Sequence, residues 1–503
     1  MMLKNSSFST ALCLILLCLG LGFVHAQMVD SAFQSLLHSQ VRHSLLDEIP
    51  ALSEPDYLPQ EEGLSHPAKS LSAFKSALQE AFLPGKAKQN LFSYRYAALA
   101  ADFNFLAGFE ADFVDDEDYS YLYKGWRLKA QAGDHLRLHT HWYNGAFHGD
   151  LDAAETDPLI DGYYKRFEDH IQHDNLSGEI GYYHDLGTIA IGRGRFQIGN
   201  TISGSIILSD RVNDYGYLLA EGQIGAFRLS MLHASLKADS TYSVYDNAMI
   251  DTRNYPQKYI ALHQLSFYPW ANTEIFAGET VVYGNRSLDL NYLLPNSFWR
   301  AVEHDLGDRD NVMIYMGINQ SFCNDLLFYA QLALDEFSYS KIFSSWWGNK
   351  YAIQSGLSLP TDFGRFSLEA TAVRPFTYAH FMNHTMYSHD GRPLGYVQGS
   401  NVLDISLEAN IPWREYLEWG TQLSWRKRGS TGSSWQENYH ETWAGMIEDG
   451  SAHWFEGDKD HEYQIKSSLS ILFMAHHSFL LGLDSLKQDA WQHHLFAAWQ
   501  FDF

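Results

Sequence analysis

From about residue 100 onward, apolar and polar side chains alternate with a period of two. The clearest case is the C-terminal segment. Trp491, His493, Leu495, Ala497, Trp499, Phe501 and Phe503 share one face, and Gln492, His494, Gln500 and Asp502 share the other, with Phe496 and Ala498 among them. Marking such segments from 100–112 to 491–503 predicts eighteen strands. The connections sort by parity. Every second one is a tight turn, as at Ala132-Gly133-Asp134, Asp185-Leu186-Gly187, Gln223-Ile224 and Thr361-Asp362-Phe363. Between them lie long loops at 145–175, 196–213, 236–256, 284–310, 376–400 and 429–461, with shorter ones at 113–119, 340–348 and 487–490. A soluble sandwich has no reason to sort its loops this way. An outer-membrane barrel does, with periplasmic turns and extracellular loops. The expected fold is therefore an all-β transmembrane antiparallel barrel at 96–503.

The first ninety-five residues follow other rules. Lys4 precedes an apolar run from Ala11 to Phe23, too short for a permanent membrane helix, and Val24-His25-Ala26 reads as a cleavage site before Gln27. Residues 1–26 are thus expected to be a signal peptide. Cys18 is preceded by Leu17 and not by the small residue a lipid anchor needs. In 27–95, Phe33, Leu36, Leu37, Val41, Leu45 and Ile49 recur at helical spacing up to Pro50. A second helix carries Leu71, Phe74, Leu78 and Phe82 and stops at Pro84-Gly85. The expectation is a small periplasmic helical subdomain.

Composition narrows the picture. The chain is 46% hydrophobic and 15% aromatic, yet after Phe23 no run approaches the roughly 20 apolar residues of a membrane helix. A net charge of −25 excludes nucleic acid as a partner, since phosphate contact needs clustered Lys and Arg. Cys323 alone remains beyond the signal, so no intrachain disulfide is expected. The 24 histidines do not gather at metal-ligand spacing, and no G-x-S-x-G elbow or phosphate loop is present. No cofactor, no metal and no catalytic role are expected.

The loops carry the candidate chemistry. Trp435, Tyr439, Trp443 and Trp454 lie among acidic and amide groups in 429–461, Tyr387 lies in 376–400, and Trp346 and Trp347 lie in 340–348. Rings beside planar polar groups suit sugar recognition, stacking on a pyranose face while amides and carboxylates take hydroxyls. The competing reading is that these rings pack the loops into a lid. Loop 196–213 holds Ile206-Ile207-Leu208, an apolar run that should not face water and is a candidate constriction or plug.

The most specific stretch runs from Gly192 to Asp335. It contains Leu208-Ser209-Asp210, Lys258-Tyr259-Ile260-Ala261-Leu262-His263, Ala277-Gly278-Glu279, Val282-Tyr283-Gly284, Asn291-Tyr292-Leu293-Leu294-Pro295, Arg300-Ala301-Val302-Glu303-His304, Asp310-Asn311 and Tyr329 to Asp335. This stretch resembles the Wzi capsule-assembly family of bacterial outer-membrane proteins. The resemblance implies an 18-stranded barrel with a periplasmic helical subdomain, and a surface lectin that holds capsular polysaccharide, not an enzyme. It implies capsular or exopolysaccharide, outer-membrane lipid and the barrel assembly machinery as partners. It does not carry sugar-contacting residues over one by one. The matched positions Glu279, Tyr283, Asn291, Pro295, Arg300, Glu303, Asn311 and Asp335 are expected to be structural or lumenal, with Glu279, Arg300 and Glu303 as mutual ion partners inside the barrel. A porin or transporter is the alternative function, and a barrel lipase ranks below both.

Overall fold

The computed structural model describes residues 90–502 apart from 158–159, 161–163, 239–241, 244–252, 255, 323–324, 342–343, 415, 438–449, 475–476 and 489. The two helices expected before residue 90, and the loop rings Tyr439 and Trp443, fall outside the described residues.

Eighteen antiparallel strands close into a barrel. In chain order they are β1 (Leu99–Val114), β2 (Glu117–Ala132), β3 (Leu136–Gly149), β4 (Ile171–His184), β5 (Gly187–Gly194) and β6 (Tyr215–Ile224). Next come β7 (Phe227–Lys237), β8 (Gln257–Trp270), β9 (Thr273–Gly284), β10 (Asn311–Ser321), β11 (Leu327–Glu336) and β12 (Lys350–Thr361). The last six are β13 (Gly364–Val373), β14 (Val402–Arg414), β15 (Leu417–Gly429), β16 (Lys459–Met474), β17 (His477–Lys487) and β18 (Trp491–Asp502). The count, the loop parity and the outer-membrane location expected from the pattern hold.

The seam joins β1 to β18, with Leu106 opposite Asp502 and Val114 opposite His494. β1 extends past β18 at its periplasmic end. There the short strand Phe92–Tyr96 folds back on Leu99–Phe103 and continues the sheet, so pairing begins earlier than residue 96. Arg127 on β2 reaches across β1 and donates to both Asp502 carboxylate oxygens at 2.8 Å. The tight turns sit on the periplasmic rim, where Gly133 and Gly225 adopt left-handed φ of 61° and 58° that a side chain would strain.

Alternation sorts the wall. On β12 and β13, Ile353, Leu357, Leu359, Phe366 and Leu368 are exposed outward, while Gln354, Ser358, Ser367, Glu369 and Thr371 are buried inward. The β6–β13 half of the lumen departs from polar-in. Tyr217, Leu232, Ala234, Ile260, Leu262, Phe276, Val282, Met313, Tyr315, Ala333, Ala352 and Val373 form an apolar inward belt. The long loop 195–214 folds into it, and Ile206, Ile207 and Leu208 are fully buried there. Loop 374–401 folds in as well. Tyr378 and Tyr387 donate their hydroxyls to the Ile206 and Ile207 carbonyls at 2.8 and 2.7 Å, and Ser209 N–H donates to Leu394 O at 2.7 Å.

The plug is also anchored on the far wall. Glu369 accepts Ile202 and Ser203 N–H at 3.0 Å, Tyr329 O–H at 2.6 Å, and the Ser203 hydroxyl. Gln354 donates to Gly204 O and Asn200 donates to Asn319. Gly199 holds a left-handed φ of +82° where the loop crosses Gln331, a conformation that a side chain would strain. The apolar run read as a candidate constriction or plug is buried inside the lumen.

Two outcomes follow. The wild-type barrel is expected to carry no steady current in a planar bilayer, and Gly199→Val, which strains the loop at its crossing, to give one. Arg127→Ala, which removes two charge-assisted hydrogen bonds from Asp502 at the seam, lowers stability by about 2 kcal/mol in denaturant unfolding.

Candidate functional site: a cavity on the extracellular rim

Connection 285–310 contains the helix α1 (Trp299–Asp305). It does not enter the lumen. Register fixes this. Glu279 pairs with His263 and Ile314 and shares its face with Ile275 and Ala277, the outward face, on which Ile275 is 45% exposed. Glu279 is therefore not lumenal, contrary to expectation, and Tyr283 shares its outward face. A charge facing lipid is costly. The fold meets that cost by laying the connection over the outer wall. Glu279 accepts Trp299 N–H at 2.8 Å and Arg300 N–H at 3.3 Å, neutralising the start of the helix, and lies 3.1 Å from His263 Nε2. Arg300 pairs through its guanidinium with Glu303 at 2.9 Å. So Glu279 meets the backbone of Arg300, and the Arg300–Glu303 pair stands outside the lumen. Tyr283 receives Asp289 N–H, Asn291 donates to Asp289, and Pro295 is exposed on the same outer connection.

Four of the eight matched residues nevertheless converge. Arg300, Glu303, Asn311 and Asp335 line a rim cavity of about 100 Å³ with Asp308, Asp310, Val312, Glu336, Trp347, Lys350, Ala379, His380 and Phe381. β10 and β11 supply Asn311 and Asp335, and Lys350 opens β12. Asn311 donates to Thr385 O at 3.0 Å, and Asp335 accepts Tyr378 N–H at 2.8 Å, tying the floor to loop 374–401. Lys350 lies 2.9 Å from Glu336, donates to Ala379 O and sits 5.2 Å over the Trp347 ring. Arg286 holds Asp310 with two hydrogen bonds of 2.7 and 2.6 Å.

The lining is acidic, with carboxylates from Glu303, Asp308, Asp310, Asp335 and Glu336 against the cations Arg300 and Lys350. Burial drives the His380 imidazole down to about 3, so it is neutral and adds no positive charge. Burial lifts the Glu303 carboxyl to about 8, only partly offset by Arg300, so at neutral pH Arg300 chiefly meets a carboxylic acid. Glu303, His304 and Asp308 bring three ligand atoms within 4.8 Å, but Arg300 already engages Glu303. Phe381 is 50% exposed at its mouth.

The other loop rings are placed differently. Trp347 is buried in the cavity wall, against Phe376 and Ala452. Trp346 is half-buried beneath Lys341. Trp435 packs on the plug core, and Trp454 stands edge-on to Tyr351 with Arg374 over it. Tyr387 is 1% exposed and stacks on Tyr378, so it has no ring face open to a ligand; its place as a candidate stacking ring is corrected to plug scaffold. Lys350, Asp310 and His380 were not singled out in the sequence, where nothing distinguishes a lysine opening one strand. Because the folded state holds the Glu303 proton more tightly than the unfolded chain, this contribution to stability is full below about 4.5 and is lost as pH rises through about 8. The thermal midpoint accordingly falls between pH 6 and 9, and Glu303→Gln flattens that fall.

No family model and no curated protein matches the chain. Among solved structures it is similar to Wzi of Escherichia coli, described as a carbohydrate-binding β-barrel involved in group 1 capsule assembly, at 12% identity over 94% of this chain and 98% of that one, with a TM-score of 0.53. It also aligns with OccK8 (OprE) of Pseudomonas aeruginosa at 7% identity over 80% of this chain and 98% of that one, TM-score 0.47, and with OccD1 (OprD) at 10% over 80% and 95%, TM-score 0.44. The likeness to Wzi is one of fold, an outer-membrane barrel.

Proposed function

We propose that this chain is a plugged outer-membrane barrel that binds surface polysaccharide at its extracellular rim and attaches or organises capsule or exopolysaccharide, without catalysis. The observation that carries the reading is the pairing of a filled lumen half with a rim cavity of hydroxyl-accepting carboxylates beneath an exposed aromatic ring. The fold shared with a carbohydrate-binding barrel supports it. The acidic lining favours neutral or amino sugars over polyuronates, whose carboxylates the rim would repel.

A porin or transporter is the second reading. It is favoured by the polar ladder along β14–β17, where Arg426 bonds Asp404 and Gln464, Gln464 bonds Asp484, and Arg428 pairs with Glu462. A steady wild-type current would favour it.

Binding of purified barrel to immobilised surface glycans separates the readings. Phe381→Ala is expected to weaken binding about tenfold, some 1.4 kcal/mol, and Asp335→Asn to weaken it in the same direction. If wild type bound no native glycan, or rim variants bound as wild type does, the lectin reading would fall.

A further inference from the structure

Among the described residues, connection 285–310 folds outward, and its outer surface carries four large apolar side chains beside the exposed Asn285, Ser287, Asn291 and Asn296. Its inner side is well packed. Tyr292 and Trp299 are fully buried against the outward faces of Ala261, Val281, Tyr283 and Val312, and Trp299 stacks on His263 with centroids 4.0 Å apart. Arg286 and Tyr292 both bind Asp310, clasping the start of the connection to its end. The segment is thus a closed clip.

Its outer side is graded. Leu288, Leu290, Leu294 and Phe298 are 44%, 71%, 50% and 58% exposed. From the last turn of α1 onward the exposed side chains are polar and charged: His304, Asp305, Asp308 and Arg309. The strand positions flanking the covered patch belong to the lipid-facing belt, with Leu265, Ile275 and Met316 exposed by 45–50%. Depth follows from register. Glu279, which receives the helix start, lies five residues below Gly284 at the strand's upper end. At about 3.3 Å per residue and a tilt near 45°, that is roughly 12 Å down the outer wall. The helix start thus lies two residues above Ala277, whose strand partners Leu265 and Met316 belong to the exposed belt.

We propose that residues 285–310 form a leaflet clip whose Leu288, Leu290, Leu294 and Phe298 side chains enter the hydrocarbon of the outer leaflet. The occupant of this face is lipid acyl chain, because the face is continuous with the belt that already meets lipid. The clip also seals the outward-facing Glu279–His263 pair from that hydrocarbon, so a polar pair persists on the lipid side of the wall.

The test uses the full chain with Cys13, Cys18 and Cys323 changed to serine and single cysteines introduced by Leu290→Cys, Leu294→Cys, Phe298→Cys or Asp305→Cys. Each is labelled with an environment-sensitive fluorophore and reconstituted into phosphatidylcholine vesicles with or without doxyl-labelled chains. Labels at 290, 294 and 298 are expected to be quenched at least twofold more by doxyl lipid than by aqueous iodide, and the label at 305 the reverse. Leu290→Cys sits at the most exposed of these positions and leaves the packed side untouched, so it reads out even if Phe298→Cys fails to fold. Iodide quenching at 290 and 294 overturns the proposal. So does lipid protection that appears only at high protein-to-lipid ratio together with label-to-label cross-links, which assigns the face to a second copy of the chain.

Discussion

A closed barrel gives every strand residue one of two environments, and no edge on which a misfit can be left. Everything else in this protein follows from how it treats the positions that break the rule. Two groups break it. The inward faces of β6–β13 are apolar where water would be expected, and the outward face around Glu279, His263, Tyr259, Tyr283 and His233 is polar where lipid would be expected. Each is covered by a long connection. The apolar 206–208 run fills the first, and the 285–310 segment roofs the second with Tyr292 and Trp299.

The two covers meet at the rim. Loop 374–401 holds the plug through Tyr378 and Tyr387 and at the same time forms one wall of the cavity through Ala379, His380 and Phe381. The end of the outer clip supplies Arg300, Glu303, Asp308 and Asp310 to the opposite wall. The cavity is therefore a by-product of two packing solutions that share a boundary. Its rigidity comes from buried carboxylates that each have a fixed partner: Asp335 with Tyr378 N–H, Asp310 with Arg286, and Glu303 with Arg300. A rim built this way is preorganised.

The barrel was legible in the sequence because period-two alternation and loop parity are local signals. The strand number and the sorting of short turns and long loops to opposite rims followed from them. The direction of connection 285–310 was not legible. Parity does place Glu279 opposite Gly278 and Thr280, but which face is the lumen in that strand is set by neighbours such as Leu232 and Ile260, apolar on the inside as well. With both faces apolar, alternation loses its sign. The loop rings failed differently: Tyr387 and Trp347 look in sequence like the half-buried Trp454, and only the folded plug separates scaffold from surface. Lys350 and His380 gained significance from long-range proximity alone.

The central claim is that this barrel holds polysaccharide at the cell surface. The most direct measurement is the partition of surface polysaccharide between cells and medium in the native host when the gene is deleted and then restored. The account predicts unchanged total polysaccharide with a larger released fraction, reversed by the wild-type chain and not by a chain lacking the Phe381 ring. A fall in total synthesis, or an unchanged partition, would contradict it.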